Sequence, residues 1–271
     1  MARARCDNKG EWLELPYRWQ RCVCCSAAEP DEPPEFRAAA EATFRGDYDT
    51  ALPLLREQAA EGYPPSGYLL ALLYLVGDGV ERNETAAAFW LHKAVLKDYP
   101  LAQYQLAVML DEGLGVEPDE AVARTLLERA ELNGNASAQN RLRIMRTPVG
   151  SDKEELEAAD GLTAANAKSG AFLHRLRIAR RGNTGAQYAV GLAYLSGEGT
   201  VRNPDKAVEW IRKVAVAGDV RAQSLLGTLL AHGDGVKHDL REAIEWYRKA
   251  AAQGDAEAEA AARALSNKVR P

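Results

Sequence analysis

Cysteine is missing from everything after residue 25; the four in the chain are Cys6, Cys22, Cys24 and Cys25. The body of the protein therefore has no disulfide staple, which fits a reducing compartment. Zinc ligands come as spaced pairs, and adjacent Cys24 and Cys25 can hardly both reach one tetrahedral ion, so this cluster reads as an oxidation-prone arm and no metal site is expected. Long apolar runs are lacking too. No stretch approaches the roughly 18 residues a spanning helix needs, and Glu14, Arg18 and Arg21 interrupt residues 12–24, so no membrane insertion is expected. The segment SAAEP at 26–30 has the small residues of a signal-peptide end without the apolar core before it. The expected location is the cytoplasm, or the periplasm or exterior if the native start differs. Basic charge is not in excess: the net charge is -5 and the pI about 5.6, which gives no general pull toward nucleic acid or anionic lipid.

Chemistry-bearing patterns are equally scarce. His92, His174, His232 and His238 are the only histidines, and none has a metal or triad spacing. No G-x-S-x-G elbow accompanies the serines, and no strand followed by a G-K-[ST] loop accompanies the glycines. No pair of acids is singled out by an apolar setting. These absences speak against an enzyme and against a cofactor.

What the chain does have is a period. Residues 186–221 and 222–257 repeat each other: Ala186 answers to Ala222, Gly191 to Gly227, Gly197 and Gly199 to Gly233 and Gly235, Trp210 to Trp246, and Gly218 to Gly254. Two further units start at Ser66 and Ala102, where Gly77 and Gly79 match Gly113 and Gly115. A fixed period of 36 residues with small and aromatic landmarks means stacked helix pairs. In each unit the G-x-G phrase stops the first helix, because glycine takes the left-handed conformation without steric cost. Six residues after the first glycine stand Asn83, Asp119, Asn203 and Asp239, each a good N-cap for a second helix. Pro204 at the following position and Glu242 at a capping-box position support that reading. In the second helices Ala207, Trp210 and Val214, like Ala243, Trp246 and Ala250, form one stripe, so Trp90, Trp210 and Trp246 are expected in the core.

Taken in order, residues 1–34 are an N-terminal arm ending in the Pro-rich acidic linker EPDEPPE, and 35–65 form a first helix pair with Pro53 in the first turn of its second helix. Residues 66–137 hold two regular repeats, 138–185 a degenerate one with an insertion of about 12 residues, and 186–257 two more regular ones; 258–271 is a C-terminal cap, frayed over 267–271. The irregular unit should stop its first helix near Arg146-Thr147-Pro148 and start a short extra helix at the Ser151/Glu154 capping box. It is locally basic, with nine cations against five acids. Arg177, Arg180 and Arg181 cluster on one helical face, a candidate docking patch for an acidic segment unless adjacent acids pair with them.

The phrase FRGDYDTALPLLREQAAEG resembles a tetratricopeptide helix pair, and REAIEWYRKAAAQGDAEA at 241–258, with the G-x-G-V and LG landmarks, resembles the Sel-one-like repeat family. The resemblance covers about residues 66–257 and implies an all-α fold, a right-handed α-α superhelical solenoid of tetratricopeptide and Sel-one-like helix pairs. It also implies a non-enzymatic adaptor or scaffold that holds a protein or peptide partner in a concave groove. The alternative is a structural subunit docking into a larger envelope or secretion-type assembly through its arm or end repeat. Some relatives carry a disulfide within each repeat; the repeats here have no cysteine. By analogy with the tetratricopeptide relatives, positions three, seven and ten of the first helices should face the groove: Tyr68, Tyr104 and Tyr188; Leu72, Val108 and Leu192; Leu75, Asp111 and Leu195.

Overall fold

The computed structural model describes residues 33–147 and 150–269. Residues 1–32, with the four cysteines and the first four residues of the linker, residues 148–149 and the last two residues lie outside that range. The described residues form fourteen α-helices and no strand, the pattern of an all-α helical-repeat solenoid. They divide after Arg146 into two compact units. Unit 1 holds α1 (Pro34–Arg45), α2 (Tyr48–Glu61), α3 (Pro64–Val76), α4 (Glu84–Val95), α5 (Pro100–Glu112), α6 (Glu120–Leu132) and α7 (Ala136–Arg146). Unit 2 holds α8 (Asp152–Ala164), α9 (Lys168–Arg180), α10 (Thr184–Ser196), α11 (Pro204–Val216), α12 (Val220–His232), α13 (Leu240–Ala251) and α14 (Ala256–Val269). Within each unit a helix packs chiefly on its neighbours in sequence, as in a repeat array.

The glycine turn has two distinct physical duties. Gly77, Gly113, Gly197 and Gly233 end α3, α5, α10 and α12 in the left-handed conformation, with φ of 86°, 67°, 74° and 74°. The second glycine of each pair sets the distance to the preceding repeat. A methyl group on Gly79, Gly115, Gly199 or Gly235 would overlap Tyr48, Glu84, Lys168 or Pro204, in every case the first residue of the preceding second helix. Only a bare backbone fits there.

The second helices start as the spacing requires. Asn83 Oδ1 accepts from the Ala86 amide at 2.8 Å, Asp119 from Val122 at 2.9 Å, Asn203 from Lys206 at 3.1 Å and Asp239 from Glu242 at 2.9 Å. Each of these capping residues also donates its own amide to a carbonyl nine residues back, on Tyr74, Leu110, Tyr194 or Leu230. The connection is thus tied at both ends, and the angle between the two helices of a pair is set locally.

Several expectations are corrected. Pro53 lies beyond the first turn of α2, because Asp47 rather than a later residue caps that helix and Tyr48 begins it. Glu242 forms no capping box: its Oε1 accepts from Arg212 Nη1 at 2.5 Å and from Trp246 Nε1 at 3.1 Å. Of the three repeat tryptophans only Trp246 is buried, at 7% exposure; Trp90 and Trp210 are half-buried. All three carry a lysine from the next turn over the ring, Lys93 at 5.0 Å, Lys213 at 4.4 Å and Lys249 at 3.7 Å from the centroid, so the outer edge of the stripe is a cation–π lid rather than core. The Ser151/Glu154 capping box is present, but the helix it starts, α8, is a full 13 residues. The helix α14 continues through 267–269, which were expected to fray.

Each unit buries apolar side chains of its own helices. In unit 1 Leu75, Leu91, Met109, Leu127 and Leu142 are at its centre, and Leu55 and Leu70 fill the first pair. In unit 2 Ile211, Val214, Leu226 and Leu230 play that part.

Candidate functional site

The first-helix residues named from sequence do not share one environment. In unit 1, Leu72 on α3 and Val108 on α5 are 9% and 6% exposed, and Leu75 and Asp111 are buried as well. Only Tyr68 and Tyr104 reach the surface there, each half-buried. In unit 2, α10 presents Leu192 at 40% exposure, with Tyr188 and Leu195 half-buried one turn to either side. Residues spaced by three and four lie on one helical face, so these three make a continuous accessible stripe.

The residues at the entrance to the next first helix account for much of the difference. Unit 1 enters α3 and α5 through Tyr63-Pro64 and Tyr99-Pro100, with proline at the first helical position and no side-chain cap. The Tyr99 ring meets Tyr68 edge to face at 5.8 Å and covers that end of the α3 face. Unit 2 enters α10 and α12 through Asn183 and Asp219, short side chains that accept from the Ala186 and Ala222 amides at 2.9 and 3.0 Å. Where Tyr99 would stand over Tyr188 there is Asp219, which holds Arg221 at 3.0 Å, and the Arg221 guanidinium lies 4.8 Å from the centre of the Tyr188 ring. Burial pushes the Tyr188 hydroxyl above its ordinary value, and Arg221 opposes that shift.

Asp111, expected to face a groove, is instead half of a buried ionic cluster. Arg141 of α7 reaches back to the end of α5, pairing with Asp111 and, at 3.1 Å, with Glu112. Burial alone would lower the Arg141 pKa; Glu112, Asp111 and Tyr104 outweigh it and raise the pKa above the ordinary arginine value. Sequence reading missed this cluster because its members stand 30 residues apart and resemble surface charge; an Asp-Glu pair at a first-helix end was the only local sign.

The basic residues of the irregular stretch are also engaged within the fold. Arg177 Nη2 donates to the Thr147 carbonyl at 3.0 Å and pairs with Glu155 at 3.4 Å. Arg181 donates to the Gly150 carbonyl at 2.9 Å and pairs with Asp152 at 2.6 Å. Arg180 is exposed beside them. His174, at the position of the tryptophans, is buried with its Nδ1 2.6 Å from Glu155 Oε2. Together these groups clamp the start of α8 onto α9.

Among the described residues no three of His, Cys, Asp and Glu come together as metal ligands. A cleft of about 440 Å³ between α12, α13 and α14 is bordered by His232, His238 and Lys268 over Leu240, Tyr247 and Leu265. The Tyr247 hydroxyl at this cleft is hydrogen-bonded to Thr228 Oγ1 at 2.9 Å. No described helix is long and apolar enough to cross a membrane.

The family model for the Sel1 repeat matches residues 65–99, 100–135, 184–219 and 220–255, more than half of the chain. The chain belongs to the Sel1 repeat family. Sel1-like repeat proteins generally mediate protein–protein interaction, and the family is generally non-catalytic. Among solved structures the chain is similar to a protective antigen of uropathogenic Escherichia coli with an SLR fold, at 27% identity over 83% of this chain and 46% of that one, with a TM-score of 0.38. The chain thus spans less than half of that antigen's length. A Sel1 repeat protein of Oxalobacter formigenes is 27% identical over 82% of this chain and 86% of its own, with a TM-score of 0.39. A putative Sel1 repeat protein of Klebsiella pneumoniae is 20% identical over 78% and 97%, with a TM-score of 0.28. No curated protein matches the chain.

Proposed function

We propose that this Sel1 repeat protein is a non-enzymatic scaffold that binds a protein or peptide partner with the accessible faces of its first helices, chiefly the α10–α12 face of unit 2. The observation that carries this reading is the stripe Tyr188, Leu192 and Leu195 beside Arg221: large apolar side chains left open to solvent on a helix whose other face is packed. Tyrosine and arginine concentrate at binding hot spots, because they offer wide contact area together with directional polar groups. Tyr68 and Tyr104 offer a smaller, half-covered counterpart in unit 1. The buried Leu72, Val108 and Asp111 support the helices that present it and do not themselves touch a partner.

The test is partner capture with the full chain against the Tyr188→Ala/Leu192→Ser double variant, read by mass spectrometry and then by affinity for each recovered protein. A first-helix partner should lose about 2 kcal/mol or more of binding while helical content is retained. Equal recovery with the double variant, together with loss on removal of residues 1–34, would favour a structural subunit docked through its arm.

A further inference from the structure

The outward face of α4 differs from that of its sister helices. Phe89 on this 12-residue helix is 54% exposed, and Leu96, the C-cap residue that follows it, is 71% exposed, as are Leu132 and Val216 at the ends of α6 and α11, at 86% and 71%. Phe89 and Leu96 fall with His92 and Lys93 within about 100° of the helix circumference. The Phe89 ring stands edge-on to Trp90 with centroids 5.1 Å apart, and the Lys93 ammonium lies 5.0 Å from both rings. The aromatic surface is therefore held rigid and capped by a cation at its edge.

The charges of this face are uncompensated. Neither His92, Lys93 nor Lys97 has a carboxylate partner among the described residues. The nearest acid in sequence, Asp98, is taken by Arg129 and by Gln103 Nε2 at 3.2 Å. The corresponding faces of α6, α11 and α13 each carry a glutamate, at Glu128, Glu209 and Glu245; α4 has His92 where α6 has its acid and Phe89 where the other two have theirs. A solvated helix face balances its charges, whereas this one concentrates cations around exposed apolar groups.

We infer that the α4 face docks an acidic segment of another protein that carries large apolar side chains. Its carboxylates meet Lys93, Lys97 and His92, and an apolar side chain lies between Phe89 and Leu96. This surface is on a second helix and is independent of the first-helix reading above. Like-charged partners are excluded by Lys93 and Lys97, so the selectivity is electrostatic and the affinity comes from the rings.

The probe is a fluorescein-labelled synthetic peptide of about 16 residues built from leucine and glutamate, with leucines at i, i+3, i+4 and i+7. A second peptide replaces every glutamate by lysine. Anisotropy titration of the full chain should show binding of the acidic peptide and at least about tenfold weaker binding of the basic one. Phe89→Ser, and Lys93→Glu with Lys97→Glu, should each weaken the acidic peptide at least about tenfold, and Glu209→Lys on α11 should not. All these residues are exposed or edge positions, and circular dichroism checks that the variants fold. Equal binding of both peptides, binding unaffected by Phe89→Ser, or no binding at all overturns the proposal. Self-association of the wild-type chain that Phe89→Ser abolishes would overturn it too, since a second copy would then be the occupant.

Discussion

Tyr68 in unit 1 and Tyr188 in unit 2 hold the same repeat position, yet one is met by a ring and the other by a guanidinium. Tyr99 seals the α3 face, and the residues that follow along it, Leu72 and Leu75, are buried. Asp219 and Arg221 leave the α10 face open, and Leu192 is exposed. A repeat keeps its fold through glycine turns, caps and the small residues of its core, which recur in both units. Its surface is decided by the residues just before each first helix, which the repeat leaves unconstrained. Unit 1 adds a second closure, the Arg141 cluster, at the position where unit 2 has Leu195 and Ser196.

The largest expected effect breaks that closure. Arg141→Met leaves Asp111 and Glu112 buried without their cation and should destabilise unit 1 by about 3–5 kcal/mol. Hydrogen exchange should show the loss in α5 to α7 and leave α11 to α13 protected; a uniform loss across both units would contradict a local role for the cluster. Next, Trp246→Ala should cost about 3–5 kcal/mol as a buried aromatic. Trp210→Ala should cost roughly half of that in the same denaturation assay, because that ring is only half-buried and lies under a lysine stem. Equal costs would place both rings in the core.

The contrast between faces can be measured directly. Leu72→Ala should cost about 2–4 kcal/mol, whereas Leu192→Ala should stay within about 0.5 kcal/mol; a large loss at Leu192 would mean that the α10 face is packed in solution. Within the turns, Gly254 has a left-handed φ of 96° and open space around it, so Gly254→Ala should cost only the conformational term of about 1 kcal/mol. Gly235→Ala adds overlap with the Pro204 backbone and should cost at least about twice as much, read as a lower denaturation midpoint.

The smallest effect concerns acid. The Arg212 guanidinium holds Glu242 below its ordinary value of 4.5, with the Trp246 indole N–H assisting against partial burial. The folded state therefore binds fewer protons than the unfolded one around that pH. The stabilisation is complete above about pH 4.5 and is lost as the pH falls through the lower folded value. Glu242→Gln should flatten the acid limb of the stability profile of unit 2; an unchanged slope below pH 4.5 would show that the pair contributes nothing.

How far the sequence could be read depended on the range of the interaction. The second-helix caps and the left-handed glycines are settled within six residues, and their positions were legible: Asn83, Asp119, Asn203 and Asp239 all cap as their spacing requires. The role of the second glycine was not legible, because its reason is a neighbour about 30 residues back. Glu242 shows the same limit in one side chain: local spacing offered it a capping box, and Arg212 from the preceding repeat drew it away.

The sequence by itself determined the period, the helix pairs and hence the all-α fold, because backbone hydrogen bonding and capping are satisfied within each unit. Only the tertiary structure decided which tyrosine is covered, which acid is buried and which tryptophan is core. Those outcomes depend on the side chain that arrives from the adjacent repeat, and the period brings a different residue to that place in each unit: Tyr99 to Tyr68, and Arg221 to Tyr188.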